Sequence, residues 1–425
     1  MGLMDEPLAT EPYKGVRDFY PADWAKLQWI FTRLRETLAL WGYEEYNASP
    51  LERAELYEAK TSEEIVNEQT YTFVDRGERR VTLRPEMTPT LARMVAAKRR
   101  ELALPLRWFS LPNVFRYERP QRGRLREHYQ LNVDLVGLPE GEADLETVQL
   151  AHALMQAFGA DDASFVIKIN SRPLLNAACR AAGLEDDKIQ DYLRFLDRNE
   201  KISREEFLTA TGTLSSQDPL SIIDTPDDHR DVATEKAKVL EHVARLKTAG
   251  VTNAVFAPHV TRGFDYYTGM VFEVFDTDPS NARSLFGGGR FDGLVALFGG
   301  EPVPAIGFGM GDVTLMDFLE AHGLVPDHVA STTQLYLGTP APEDIPAAEA
   351  FAATLRKEGL RVFVNLTERA LGDQIKDALK RSIHLFAAYG KDEVASGSLR
   401  VKVLATSTES TVTTAELIRL VRAER

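Results

Sequence analysis

Between Phe115 and Asp134 the chain carries two alternating segments around a basic turn. On the first, Phe115 and Tyr117 point one way and Arg116 and Glu118 the other; on the second, Tyr129, Leu131, Val133 and Leu135 oppose His128, Gln130, Asn132 and Asp134. Paired as an antiparallel hairpin, they turn one apolar face to a core and gather a guanidinium, carboxylates, amides and an imidazole on the other. A solvated strand face would explain the alternation alone. Arg-x-Glu opposite Gln-x-Asn-x-Asp suits a binding site better.

Elsewhere the periodicity changes. After Pro21, Trp24, Leu27, Phe31, Leu34, Leu38 and Trp41 recur at helical spacing and Gly42 closes the run, which predicts an amphipathic helix on a sheet. Tyr71 to Leu83 reads as a hairpin turning at Asp75-Arg76-Gly77. A helix carrying Leu91, Met94 and Val95 follows, with Thr88 as N-cap and Pro89 at its first position. Arg84 and Glu86 fall in the turn between, where side chains are free to meet a ligand. From Ser171 to Gly250 the text becomes charged and Leu/Ala-rich, as in a helical module. Strand-like text resumes at Val255 and at Met270 to Phe275. A glycine-dense stretch, Phe286 to Gly293, precedes Ala305 to Asp312 and a helix ending near Gly323. Past Pro326 comes a polar linker. Strands at Gln334–Leu337, Arg361–Asn365, His384–Tyr389 and Ser398–Leu404 then alternate with helices to the end, a small α/β domain.

Composition narrows the class. Of 425 residues 44% are hydrophobic and 27% charged, ordinary for a globular chain of two or three domains. No run approaches about 20 apolar residues, and Met1 to Lys14 lacks a secretory pattern, so membrane spanning and export are not expected. The single cysteine, Cys179, forms no internal disulfide and suits a cytoplasmic protein. The formal net charge of −14 argues against holding nucleic acid by a global field. It leaves room for local basic surfaces at Lys98-Arg99-Arg100 and Arg119 to Arg126. The histidines show no metal-ligand spacing, so no protein-held metal is expected.

Two glycine strings invite nucleotide readings and fail them. Gly307-Phe308-Gly309-Met310-Gly311-Asp312 has aspartate where the third dinucleotide-fingerprint glycine belongs, and Gly287-Gly288-Gly289-Arg290 lacks the Lys-Ser/Thr of a P-loop. Arginines in turns, Arg116 and Arg262 above all, are then the cations available to stabilise displacement at a phosphorus.

Taken together, these segments resemble the class II aminoacyl-tRNA synthetases, and among them the histidyl-tRNA synthetase family. Phe115-Arg116-Tyr117-Glu118 through Tyr129-Gln130 is similar to the second class motif, and Thr82 to Thr88 to the amino-acid loop. Arg262-Gly263-Phe264-Asp265-Tyr266-Tyr267 is similar to the family's histidine signature, and Gly288 to Gly293 to its companion. The resemblance implies an α+β fold: an antiparallel class II sheet flanked by helices (1–170 and 251–325), a helical insertion (171–250) and a C-terminal α/β domain of anticodon-binding type (333–425). It implies a ligase that joins histidine and ATP, as histidyl-adenylate, and transfers the amino acid to tRNA, working as a homodimer. Mg²⁺ would accompany ATP, bridging phosphate oxygens.

Roles follow by the same resemblance. Arg262 and Arg116 would be catalytic, on the α-phosphate. Arg116, Glu118, His128 and Tyr129 would bind ATP. Glu86, Met87, Thr88, Gln130, Asp134, Tyr266 and Tyr267, with the two arginines, would hold histidine. Departures are visible too. Gly311-Asp312-Val313-Thr314 replaces the third motif's Gly-x-Glu-Arg, so the arginine near the γ-phosphate is missing and Arg124 or Arg290 would have to substitute. Asp134 stands for a longer glutamate and Met87 for glycine. Gly372 to Lys376 is less basic than an anticodon-reading helix would be. The alternatives are a synthetase-like histidine-sensing regulatory subunit of ATP phosphoribosyltransferase, catalytically inactive, and a class II enzyme for another amino acid.

Overall fold

The computed structural model describes residues 9–58, 69–119, 123–198, 212, 217–263, 265–281, 283–326 and 331–423. The chain forms two compact units, one of residues up to Phe19 with Ile30–Val325, the other of Tyr20–Trp29 with Pro326 onward.

Helix α1 (Pro21–Leu40) follows the predicted stripe and stops before Gly42, whose φ of +73° is the left-handed conformation that glycine adopts without strain. Strands β1 (Glu44–Glu45) and β2 (Leu51–Arg53), helix α2 (Glu55–Glu58), strands β3 (Tyr71–Val74) and β4 (Arg80–Leu83) come next. β2, β4 and β3 make a small antiparallel sheet, with β3 and β4 as the hairpin expected from Tyr71 to Leu83. Helix α3 (Thr88–Lys98) begins one residue earlier than predicted, since Met87 is the N-cap and Thr88 already helical.

The remaining elements of this unit are β5 (Leu106–Ser110), β6 (Asn113–Phe115), β7 (Glu127–Val136), α4 (Glu142–Ala157), β8 (Phe165–Ser171), α5 (Arg172–Ala181), α6 (Asp186–Arg198), α7 (Pro219–Asp224), α8 (Arg230–Thr248), β9 (Ala254–Phe256), β10 (Met270–Asp276), β11 (Ser284–Arg290), β12 (Ala305–Gly311) and α9 (Asp312–Ala321). Their sheet runs β1-β5-β7-β12-β11-β10-β8-β9, with β6 paired to β7. Only the outer pairs β1/β5 and β8/β9 are parallel; the interior is antiparallel.

β6 and β7 pair as the expected hairpin, with Phe115 opposite Glu127. The first strand lies earlier than the alternation predicts: it is Asn113–Phe115, Arg116 to Glu118 run on past it, and Tyr117, expected on the core face, is 50% exposed. Leu131, Val133 and Leu135 are each 1% exposed, and Phe31 of α1 meets Tyr129 at 5.4 Å between ring centroids. The polar face is also closed, since Asn132 is 3% and Asp134 2% exposed. The glycine-dense stretch is strand as far as Arg290. This part is β11, a central strand between β10 and β12.

The second unit alternates β13 (Leu335–Gly338), α10 (Ile345–Lys357), β14 (Val362–Val364), α11 (Leu371–Lys380), β15 (Leu385–Ala388), α12 (Lys391–Ser396), β16 (Ser398–Val403), β17 (Thr408–Thr413) and α13 (Thr414–Ala423). β14, β13 and β15 are parallel, and β16 and β17 extend the sheet antiparallel. Leu335, Leu337, Leu355, Leu385, Val401 and Leu417 form its core. Two elements go beyond the sequence expectation: the six-residue helix α12, and β17, whose Thr408-Glu409-Ser410-Thr411-Val412-Thr413 text carries no apolar alternation because it is an edge strand.

Candidate active site

The polar face of β7 and the glycines of β11 and β12 floor a cleft of about 810 Å³ in the first unit. Alternation makes β7 a row of side chains, and its neighbour must then be nearly bare. Gly307 pairs with Asp134 and Gly309 with Asn132. A Cβ on Gly307 would lie 2.5 Å from Asp134 Oδ1, and one on Gly309 2.7 Å from Gln130 Nε2. These glycines make room for neighbouring carboxyl and amide groups, not for a dinucleotide.

One end of the cleft is a polar pocket. Glu86 reaches it from the turn between β4 and α3, and its Oε2 accepts a hydrogen bond from the Tyr266 hydroxyl at 2.9 Å. The Tyr57 hydroxyl donates to the Glu86 carbonyl at 3.2 Å, fixing the turn from below. Tyr266 and Tyr267 tilt against each other at 4.9 Å, with Phe291 edge-on to Tyr266 at 5.9 Å. Burial, then the Glu86 charge, raises the Tyr266 hydroxyl well above its usual range, so it stays a donor. Gln130 donates to Asn132 Oδ1 at 2.7 Å, and Thr88 adds a hydroxyl to the lining. Asp134 is buried beside the floor at Gly307. Burial first and Glu86 second push its pKa up to about 8, and its Oδ2 accepts no hydrogen bond among the described residues. Two adjacent carboxyls with an unused acceptor favour a ligand bearing a cationic or donor group.

Guanidinium groups mark the rest. Arg116 Nε donates to the Pro85 carbonyl at 2.9 Å, which holds its side chain at the cleft. His128 lines the same wall, and burial followed by the Arg116 charge lowers its pKa to about 3, leaving a neutral imidazole. Arg262 has a φ of +65°, a left-handed backbone unusual outside glycine. Its Nη1 lies 2.5 Å from Glu273 Oε1 and its Nη2 3.2 Å from the Gly287 carbonyl. Burial opposes its charge, but Glu273 and Tyr267 raise its pKa, so it is a permanent cation. Toward the rim Arg124 stands 3.5 Å from Glu118.

The cleft thus gathers Glu86, Thr88, Arg116, Glu118, Arg124, His128, Gln130, Arg262, Tyr266 and Tyr267, with Asp134 beside its floor at Gly307. Four expectations are corrected. Arg290 is 1% exposed and bound to Asp144 at 2.7 and 2.9 Å and to the Leu138 and Pro139 carbonyls, so its donors are spent on structure and it is no ATP ligand. Tyr129 lies on the apolar face of β7 against Phe19 and Phe31, away from the His128 side. Met87 is fully buried and outside the lining. Arg84 does not meet ligand either, because it locks the Asn113 and Ala48 carbonyls at 2.9 and 2.7 Å.

Several lining residues escaped the sequence. Glu273 had a signal, a carboxylate interrupting the apolar run Met270 to Phe275. Asp197 and Arg283 had none, since both arrive from distant segments. Arg283 and Thr314 both come close to Gly123: a Cβ there would lie 3.7 Å from Thr314 Cγ2 and 4.0 Å from Arg283 Nη1. Asp312, in place of the motif's expected residue, accepts from Arg17 at 2.7 Å and from the Tyr129 backbone N–H at 2.9 Å, tying α9 to β7. Of the basic turn, Pro120 to Arg122 lie outside the described residues, as does Phe264. Arg126 is stacked on Tyr117 at 4.0 Å. Among the described residues no cluster of acidic, histidine or cysteine side chains could hold a metal ion. None of their helices is long and apolar enough to cross a membrane.

Comparison with known proteins bears on the whole of this arrangement. Residues 15–313 match the family model for histidyl-tRNA synthetase, and residues 335–424 that for an anticodon binding domain. A histidine-tRNA ligase of Leptospira biflexa is 40% identical over 99% of both chains. The crystal structure of histidyl-tRNA synthetase from Nostoc sp. PCC 7120 superposes with a TM-score of 0.79 at 22% identity, covering 99% of this chain and 100% of that one. A Bacillus halodurans structure described as an ATP phosphoribosyltransferase regulatory subunit/histidyl-tRNA synthetase superposes at 0.71 with 24% identity, over 88% of this chain and 97% of that one. A full-length relative at 40% identity, and a family model spanning the sheet that carries the cleft, make this chain a member of the histidyl-tRNA synthetase family.

Proposed function

We propose that the chain activates L-histidine with ATP and transfers it to tRNA(His). The observation that carries this reading is one cleft in which a pocket built on Glu86, Tyr266 and Gln130, with Asp134 beside its Gly307 floor, adjoins the guanidinium groups of Arg116 and Arg262. In the first step a carboxylate oxygen of histidine attacks the α-phosphorus, the bond to the β-phosphate oxygen breaks, and pyrophosphate leaves with the displaced electron pair. Arg262 and Arg116 offset the charge that builds on the α-phosphate, a task of position and electrostatics that needs no side-chain nucleophile. Glu86 and Asp134 receive the ammonium, and the tyrosines with Gln130 offer hydrogen-bond partners to the imidazole. A polar pocket of this kind discriminates against analogues that leave its groups unpaired. In the second step a ribose hydroxyl of the tRNA terminus attacks the carbonyl carbon and AMP leaves.

ATP enters with Mg²⁺ as one substrate, its ion held chiefly by phosphate oxygens. Glu118 and His128 frame the adenine, and Arg124 with Arg283 supplies the cations for the terminal phosphates. On this reading residues 1–170 and 251–325 are the catalytic core, 171–250 the helical insertion and 333–425 the anticodon-binding domain. The protein works in the cytoplasm as a homodimer, with the exposed part of the basic turn toward the tRNA acceptor end.

The histidine-sensing regulatory reading shares the fold, as the Bacillus halodurans match illustrates, so fold alone does not separate the two. A sensor has no use for Arg116 and Arg262 at one cleft, nor for a second unit matching an anticodon model. Pyrophosphate exchange into ATP, run with each amino acid, decides: exchange with histidine alone is expected. Exchange with none would favour the sensor, and exchange with another amino acid would remove the histidine assignment.

A further inference from the structure

The turn that presents Arg262 does not stand by itself. Arg262 is a non-glycine residue with left-handed backbone, a state that persists only where the surroundings over-determine it. The surroundings are helices α5 and α6. From α5, Arg172, itself 4% exposed, donates through Nη2 to the Arg262 carbonyl at 2.8 Å, and its backbone N–H donates to the Gly269 carbonyl at 2.9 Å. From α6, Gln190 Nε2 and Arg194 Nη2 donate to the two carboxylate oxygens of Asp265 at 2.5 and 2.8 Å. Asp197, near the end of α6, stands 3.5 Å from the Thr261 hydroxyl, and a Cβ added to Gly263 would meet its Oδ2 at 3.2 Å.

Both flanks of the arginine are therefore held by the helical segment, and Asp265 takes no part in lining the cleft. A two-oxygen grip by an amide and a guanidinium fixes direction as well as distance, which a single contact would not. We propose that Asp265, held by Gln190 and Arg194, is a positioning residue: α6 sets the backbone of Arg262 and thereby the placement of its guanidinium in the reaction. The inference rests on the proposed role of Arg262 at the α-phosphate. It makes the helical segment a working part of the activation step.

The test is histidine-dependent pyrophosphate exchange by the full chain carrying Arg194→Ala. The expected result is a fall in kcat of roughly tenfold or more, with KM for histidine and ATP within about twofold, because the interaction acts in the transition state. Arg194→Lys, which keeps a cation near Asp265, should recover most of the loss. In an Arg262→Ala background the Arg194→Ala change should cost less than about twofold, since residues acting through one group are non-additive. An unchanged kcat, or the same loss in both backgrounds, overturns the proposal. If Arg194→Ala does not fold, Asp265→Asn is measured in the same way and judged by the same outcomes. Failure of the unsubstituted protein to exchange with histidine would remove the synthetase reading as well, whereas an active parent with an indifferent variant removes only the positioning role.

Discussion

By its text Asp134, near the end of an alternating strand, belongs to a polar row suited to a binding site. In the fold Asp134 is 2% exposed, and its neighbour in charge is Glu86. Its pKa rises from 3.8 to about 8, so the folded state resists losing the proton. The sign follows: its contribution to stability is complete below the unfolded value and is lost as pH rises through the folded one. Between about pH 5 and 8 the urea midpoint of the ligand-free protein should fall relative to that of Asp134→Asn, whose amide does not titrate. Parallel midpoints for the two proteins would show that Asp134 ionises freely. Arg283 makes a second case at this scale. It is invisible as a motif residue, yet it lines the cleft beside Thr314, where the family's arginine is absent. Arg283→Ala should raise the ATP KM by roughly tenfold, the worth of one charge-assisted hydrogen bond, and leave the histidine KM alone. Equal effects on both would place it elsewhere in the reaction. Arg290 shows the converse, a motif residue whose guanidinium is consumed by Asp144.

At the scale of elements, glycines in β11 and β12 do two different jobs that only register separates. Gly309 faces the end of a flexible side chain, since an added Cβ would press on Gln130 Nε2 at 2.7 Å. Gly288 faces backbone, and a Cβ there would collide with the Gly307 carbonyl and stand 2.5 Å from Phe308 Cα. Gly309→Ala should therefore fold and raise the histidine KM by roughly tenfold by displacing Gln130. Gly288→Ala should lose the central sheet and express poorly, as judged by yield and thermal unfolding. A Gly309→Ala protein with unchanged KM would separate Gln130 from histidine binding. The hairpin of β6 and β7 and the helix at α1 were legible because burial on one face writes a period into the sequence. β11 was not, because a run of glycines has no faces to alternate. β17 was not, because an edge strand needs no apolar side chains.

At the scale of the whole molecule, the order of strand-like and helical text already separated a long α+β part from a C-terminal α/β part. Composition argued against a globally basic nucleic-acid binder, and none of the described helices is long and apolar enough to cross a membrane. Short motifs named the family, because Arg262 to Tyr267 and Arg116 to Gln130 combine side chains whose joint chemistry few proteins need. By itself, then, the sequence determined local periods, the class of fold and most of the side chains that line the cleft. Tertiary structure decided which of those side chains are spent. Motif spacing says which groups travel together along the chain. Whether a guanidinium is free for a phosphate or bound to a buried carboxylate depends on segments far away, as with Asp144 for Arg290. The same reason hid the hold of Gln190 and Arg194 on Asp265, a contact between residues about 70 positions apart that leaves no period and no motif to read.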